Sequence, residues 1–296
     1  MKKEKNHLAF IGAQLDLARQ LETVDYVKSF VDFISAHGYN TLVLYMEGRI
    51  RTRSFPFMGK GESYSLDEAR EIVDYADKKK IEVVPVVAAL GHAKQFLKHP
   101  ELEQLAELRG GIEGRFSRFN KQMFCPSKKE TLEFLEAYLT EVSALFPSKY
   151  FHAGFDESWD MGLCELCKAR LERETQADIF ASHMTACHRI ISGKLRKKMM
   201  VWDDMFGFYP SALEKIPKDI ILCPWHYEKL VEKPSWGCLG VRTDKLALYD
   251  KLGFKYVFSP VARSFRNVET FSAYAMARQP IGALLTSWEH MCRRAV

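Results

Sequence analysis

Eight short apolar runs rich in β-branched residues, separated by segments of helical period, constrain this chain more than any other feature of its sequence. The predicted strands are Leu8 to Leu15, Thr41 to Tyr45, Ile81 to Ala88, Lys149 to Gly154, Met199 to Trp202, Ile220 to Cys223, Phe254 to Phe258 and Ala283 to Thr286. Between them, Val27, Phe30, Val31 and Ile34 recur at i, i+3, i+4 and i+7, and Leu132, Leu135, Leu139 and Val142 do much the same, as amphipathic helices require. Strands alternating with helices build a parallel sheet covered by helices, and the run from Ile81 to Val87 is apolar enough for burial on both faces. A closed barrel and an open doubly wound sheet both satisfy this pattern. The number eight, and the lack of a Gly-rich phosphate turn after the first strand, favour the barrel. The expected fold is therefore α/β, a single (β/α)8 TIM barrel spanning residues 1–296, with no linker or internal repeat.

Hydrophobic residues at 47% and charged residues at 27% suit a soluble protein with a sizeable core. The net charge of +5 is modest, and the basic clusters Lys78 to Lys80 and Lys194 to Lys198 fall on or beside predicted helices. They read as solvated faces, so no nucleic-acid partner is expected. No apolar run approaches the roughly 18 residues of a membrane span, and the charged start from Met1 to His7 is unlike a signal peptide, so the reading is cytoplasmic with no membrane partner. Seven cysteines, an odd number spread along the chain, are expected as reduced thiols. Cys164 and Cys167 form the one tight pair. A structural zinc site needs four ligands and no second C-x-x-C or H-x-x-H accompanies the pair, so buried or helix-start thiols are expected, without metal or cofactor.

Polar residues cluster just past the predicted strands: Asp16, Glu47, His92, Asp156 with Glu157, Asp203 with Asp204, Trp225 with His226, and Trp288 with Glu289. In a barrel these strand ends open on one face, so the residues converge on one pocket, and a polar ring lined with tryptophan suits a sugar. Asp156 and Glu157 would face opposite ways on a regular strand, and both reach the pocket only if the backbone turns there.

The segment His152-Ala-Gly-Phe-Asp-Glu157 resembles the His-x-Gly-Gly-Asp-Glu signature of glycoside hydrolase family 20, the β-N-acetylhexosaminidases. Four more segments resemble that family in order and spacing: Pro85 to His92 followed by Leu97 to Glu101, Val201 to Met205, Pro224 to Tyr227, and Leu285 to Trp288. Together they are most similar to its hexosaminidase D branch, over roughly residues 8 to 290. The resemblance implies a retaining exo-β-N-acetylhexosaminidase in which the 2-acetamido group of the substrate is the nucleophile, forming an oxazolinium ion. It implies Glu157 as the general acid and then base, and Asp156 as the group that orients the acetamido N–H and stabilises its developing charge. That division of labour calls for a protonated Glu157 beside an ionised Asp156.

By the same resemblance Trp202, Trp225 and Trp288 wall the acetamido methyl group, with core packing as the alternative. Tyr227 donates to the acetamido oxygen, from the sixth-strand loop instead of the more familiar seventh. His92 and His152 either support the carboxyls or are structural. Asp16, Glu47 and Asp203 contact sugar or close polar networks at the barrel mouth. Three departures stand out: Ile11 replaces an Arg that grips sugar hydroxyls, Phe155 replaces the second Gly and is expected to narrow the space beside the carboxyls, and Glu289 directly follows Trp288. Only about ten residues follow the eighth strand, too few for the usual final helix, so either the chain is a truncated form or a short segment or a partner covers that seam, and an exposed apolar strip between the first and seventh helices would favour association, with a homodimer as the expected form. The rival readings are a catalytically silent carbohydrate-binding barrel and a metal-dependent hydrolase using His92, Asp203 and Asp204.

Overall fold

A computed structural model describes residues 8–59, 61–109, 112–115, 122–236 and 243–288. The eight strands are β1 (Phe10–Asp16), β2 (Thr41–Glu47), β3 (Glu82–Val87), β4 (Tyr150–His152), β5 (Lys198–Trp202), β6 (Ile221–Cys223), β7 (Val257–Phe258) and β8 (Gly282–Leu285). They form one parallel sheet in the order β6-β5-β4-β3-β2-β1-β8-β7. The two ends meet through parallel bridges Leu222 to Tyr256 and Trp225 to Ser259, where the Leu222 N–H donates to the Lys255 carbonyl at 3.0 Å. The sheet is thereby closed into a barrel.

Alternation along the strands sorts side chains into two cores. Val43 and Tyr45 of β2, Val84 and Val86 of β3, and Met200 and Trp202 of β5 point into the barrel, where they meet Phe10 and Leu284. Leu42, Leu44 and Met46, and Met199 and Val201, point outward against the helices. Gly282 makes room for the plug at the barrel's base, since a Cβ there would lie 2.4 Å from the Phe10 carbonyl oxygen.

The outer layer contains α1 (Val24–Ala36), α2 (Leu66–Lys78), the short α3 (Lys94–Leu97) and α4 (Pro100–Glu103), α5 (Lys129–Ser143), α6 (Glu165–Leu171), α7 (Gln176–His188), α8 (Lys245–Leu252) and α9 (Phe265–Met276). Ser65 with Glu68 and Thr175 with Asp178 form capping boxes that satisfy the first N–H groups of α2 and α7. The β5–β6 connection departs from the expected alternation: it carries two 3-10 turns, Asp204–Gly207 and Pro210–Glu214, instead of an α-helix. Pro210 and Pro217 interrupt this short interval, and Gly207 lies so close to Trp236 that an added Cβ would sit 2.6 Å from it. Tyr26 and Phe33 of α1 and Phe265 and Met276 of α9 are exposed. Among the described residues no helix is long and apolar enough to cross a membrane.

Asp203, at the end of β5, is fully buried and paired with Lys245 of α8, Nζ to Oδ2 at 3.0 Å. The Tyr249 hydroxyl donates to the same oxygen at 2.8 Å, and the Trp225 N–H donates to Oδ1 at 3.2 Å. This network ties α8 to the β5 and β6 loops. Removing one partner leaves the other charge desolvated and alone, so Lys245→Met should destabilise the protein by about 3–5 kcal/mol. The midpoint of urea unfolding measures this, and an unchanged midpoint would show the pair to be dispensable.

Candidate active site

The backbone does turn after β4. Gly154, Phe155 and Glu157 all have positive φ, at 71°, 78° and 48°, and so successive residues leave the strand alternation and both carboxyls reach one cavity. Such angles cost non-glycine residues on the order of 1–3 kcal/mol each and persist only where surrounding contacts fix them. The contacts are visible. The Phe155 ring is buried against Phe180 and His183 of α7, with centroids 5.8 and 5.7 Å away, and the Glu157 N–H donates to Asp204 Oδ2 at 2.9 Å. Phe155 therefore points away from the cavity and does not narrow it, contrary to the expectation from sequence, because the turn directs its Cβ outward.

His92 stands between the acids. Its Nε2 is 3.2 Å from Glu157 Oε2 and 3.4 Å from Asp156 Oδ2, and its Nδ1 is 3.4 Å from Glu47 Oε1. Both His92 and Glu47 also have positive φ, at 55° and 53°. The preceding Gly91 lies against the β4 loop so closely that a Cβ would be 1.9 Å from the Asp156 carbonyl oxygen. The Tyr45 hydroxyl donates to Asp156 Oδ2 at 3.3 Å, while Asp156 Oδ1 is buried with no hydrogen-bond partner among the described residues.

The electrostatics reverse the expected assignment of the proton. Burial opposes charge on His92, yet the Asp156 charge and the contacts to Glu157 and Glu47 outweigh it and hold the imidazole well above its ordinary range. Its hydrogen bond to Glu157 holds that carboxyl below the usual range against the effect of burial. Burial raises Asp156, with His92 opposing and Glu157 adding to the rise. An imidazolium beside two carboxylates has the same net charge as a neutral imidazole beside one acid and one carboxylate, so the trio keeps its proton count and stores the proton on His92.

The cavity above the trio has a volume of about 250 Å³. Trp225, Tyr227 and Trp288 form its aromatic wall. The Trp288 Nε1–H donates to the Tyr227 hydroxyl, which lies 3.2 Å from Thr286 Oγ1, and the Trp225 and Tyr227 rings are 4.8 Å apart. Trp202 is only 1% exposed, beneath Trp288 with ring centroids 5.7 Å apart, as a floor to that wall. His152 lies deeper still, 4.4 Å from the Trp202 ring, and burial lowers it to about 3, so it is neutral and accepts the Gly154 N–H on Nδ1 at 3.0 Å.

Asp16 does not line the cavity, but its Oδ2 pairs with Arg19 at 3.1 Å, and Arg19 does, with its guanidinium 5.2 Å from the Trp288 ring and 5.5 Å from that of Tyr45. Arg19 and the lining residue Arg263 were missed from the sequence. Arg19 had a signal, a cation three residues after a strand-end Asp, as a local ion pair requires. Asp204 was missed as a support for Glu157, whereas its neighbour Asp203 is placed in the buried network with Lys245. Burial, with Asp156 next, raises Asp204 well above the ordinary carboxyl range. Glu289 lies outside the described residues. Among the described residues, His92, Asp203 and Asp204 do not gather at metal-ligand spacing; Glu107, Cys125, Cys164 and Cys167 do.

Comparison with known proteins agrees with this geometry. Residues 9–260 match the family described as glycosyl hydrolase family 20, catalytic domain. Hexosaminidase D of Bos taurus is 29% identical over 265 residues, covering 84% of this chain and 70% of its own length. A β-hexosaminidase of Vibrio furnissii is 25% identical, covering 80% of this chain and 42% of its own. The fold is shared with an exo-β-N-acetylglucosaminidase of Vibrio harveyi solved in complex with N-acetylglucosamine, with a TM-score of 0.73, 19% identity, and coverage of 97% of this chain and 51% of that one. The chain thus spans from under half to about two thirds of the length of these relatives. With the family's region running through β1 to β7 and its acidic pair at the mouth of a closed barrel, the chain belongs to glycosyl hydrolase family 20 and carries that family's catalytic domain.

Proposed function

We propose that this protein is a retaining exo-β-N-acetylhexosaminidase, akin to the hexosaminidase D branch, that releases terminal N-acetylglucosamine or N-acetylgalactosamine by substrate-assisted catalysis. The observation that carries the reading is the placement of Asp156, Glu157 and His92 on one cavity faced by Trp225, Tyr227 and Trp288. Asp156, which lines the cavity, accepts the acetamido N–H and turns the acetamido oxygen towards the anomeric carbon. The Tyr227 hydroxyl donates to that oxygen. The negative charge of Asp156 then stabilises the positive charge that develops on the oxazolinium ion.

Glu157 protonates the leaving oxygen as the anomeric C–O bond breaks and the acetamido oxygen bonds to carbon. His92, within 3.2 Å, supplies that proton to Glu157, with Glu47 on its far nitrogen compensating the imidazolium charge. In the second half, Glu157 takes a proton from the water that opens the ring. Arg19, held by Asp16, and Arg263 offer donors for sugar hydroxyls in place of the arginine that Ile11 replaces.

Glu157→Gln should lower kcat about 10²–10⁴-fold on an N-acetylhexosaminide whose leaving group needs protonation, with a much smaller loss on an activated aryl leaving group. Retention of more than about a hundredth of wild-type kcat on the first substrate would remove Glu157 as the acid. Turnover of N-acetylglucosaminide and N-acetylgalactosaminide should also far exceed that of the plain glucoside, and equal rates would end the substrate-assisted mechanism.

A pH profile tests the location of the proton. The His92 value is raised, so activity should persist above the ordinary histidine range and fall as pH rises through that raised value. On the acid side it should fall as Asp156, itself raised by burial, takes a proton. In His92→Asn the shared proton resides on carboxyls alone, so the alkaline limb of kcat/KM should move to lower pH. An alkaline limb that does not move would place the proton elsewhere.

A further inference from the structure

Three thiols and a carboxylate converge away from the sugar cavity. Glu107 and Cys125 come from the long connection after β3, and Cys164 and Cys167 come from the start of α6. Cys125 Sγ lies 3.4 Å from Cys164 Sγ and 3.9 Å from Cys167 Sγ, and Cys167 Sγ lies 3.3 Å from Glu107 Oε2. All four residues are buried, and the four ligand atoms lie within 4.8 Å of one another. We infer that this cluster is a structural zinc site with three cysteine ligands and one glutamate ligand.

The spacing suits the ion. Tetrahedral zinc with Zn–S near 2.3 Å and Zn–O near 2.0 Å separates sulfurs by about 3.8 Å and sulfur from oxygen by about 3.5 Å. The sulfur separations of 3.4 and 3.9 Å bracket the first value, and the sulfur–oxygen distance of 3.3 Å lies just under the second. Glu107 is already oriented as a ligand, because its Oε1 accepts the N–H groups of Gly162, Leu163 and Cys164 at 3.0, 2.8 and 2.9 Å, which leaves Oε2 directed at the thiols. A carboxylate that is 0% exposed and faces three sulfurs is costly without a cation. Three thiolates and a carboxylate around a divalent ion leave an excess of two negative charges. Arg109 and Arg170 both interact electrostatically with Cys125 and compensate that excess.

The sequence pair Cys164 and Cys167 lacked two ligands, and the fold supplies them from 39 and 57 residues upstream. The site joins the loop that begins with His92 to the loop that begins with Asp156 and Glu157. Around it, the Phe124 N–H donates to the Leu90 carbonyl at 2.9 Å and the Ala93 N–H donates to the Gln122 carbonyl at 2.7 Å, so a fixed Cys125 also fixes the turn that carries His92. The ion would act as a clamp between the two loops of the proposed proton relay, without contact with substrate.

Metal content tests this independently of any glycoside. The full chain purified under reducing conditions without chelator should hold about one equivalent of zinc by elemental analysis. Cobalt(II) exchanged into it should show intense visible bands and a thiolate-to-cobalt charge-transfer band. Cys164→Ser and Glu107→Gln should each lower retained zinc severalfold, whereas Cys187→Ser, which alters a buried thiol of α7 outside the cluster, should retain it. Should the cluster variants fail to fold, the wild-type zinc content and cobalt spectrum still decide. Wild-type protein that holds no zinc after equilibration with it, cobalt without a thiolate band, or peptide masses joining two of the three cysteines as a disulfide would each overturn the assignment.

Discussion

The site depends on a turn of four residues, Gly154 to Glu157, three of which are left-handed. A strand delivers alternate side chains to opposite faces, so two adjacent acids can serve one substrate only where that alternation is broken. Gly154 enters the turn at no steric cost, but Phe155 and Glu157 do not. Their conformations are held from behind, by the aromatic contacts of Phe155 with α7 and by the Asp204 side-chain oxygen that accepts the Glu157 N–H. The outer helices therefore position the acids as well as covering the barrel.

Once the acids share a cavity, they compete for protons. Two carboxylates this close, with Glu47 nearby, favour a cation between them, and His92 occupies that position. The imidazole then sets the two acids apart, since its shorter contact holds Glu157 low while burial raises Asp156, the more deeply buried of the two. General acid chemistry in such a site is a property of the trio and its shared proton, and no single carboxyl carries it alone.

The barrel was legible because burial on both faces writes itself into composition: all eight strands fall where apolar β-branched runs placed them, within a few residues at their ends. The rule that strand ends converge on one face carried Asp156, Glu157, His92, Trp225 and Trp288 to a common cavity, and the family resemblance added Tyr227. Direction was not legible. Whether Phe155 faces the cavity or α7, and whether Asp203 or Asp204 turns towards Glu157, depends on φ angles and on partners such as Lys245 from 42 residues away. The proton's location was likewise hidden, because it follows from contacts of 3.2 and 3.4 Å between His92 and two acids that lie on a different loop from it. Glu107 and Cys125 lie far from the Cys164 and Cys167 pair in sequence, and no local spacing announces such a set.

Gly91 has a mechanical consequence. With the β3 and β4 connections pressed backbone to backbone at that residue, and the Ala89 N–H bonded to the Ala153 carbonyl at 3.0 Å, half of the cavity behaves as one rigid jaw. Any adaptation of the cavity's shape is then left to the opposite jaw, the indole and phenol rings of the sixth and eighth strand ends. Under the proposed function, selection of the sugar and delivery of the proton would fall to separate sides of the barrel mouth, each held by its own set of strand ends.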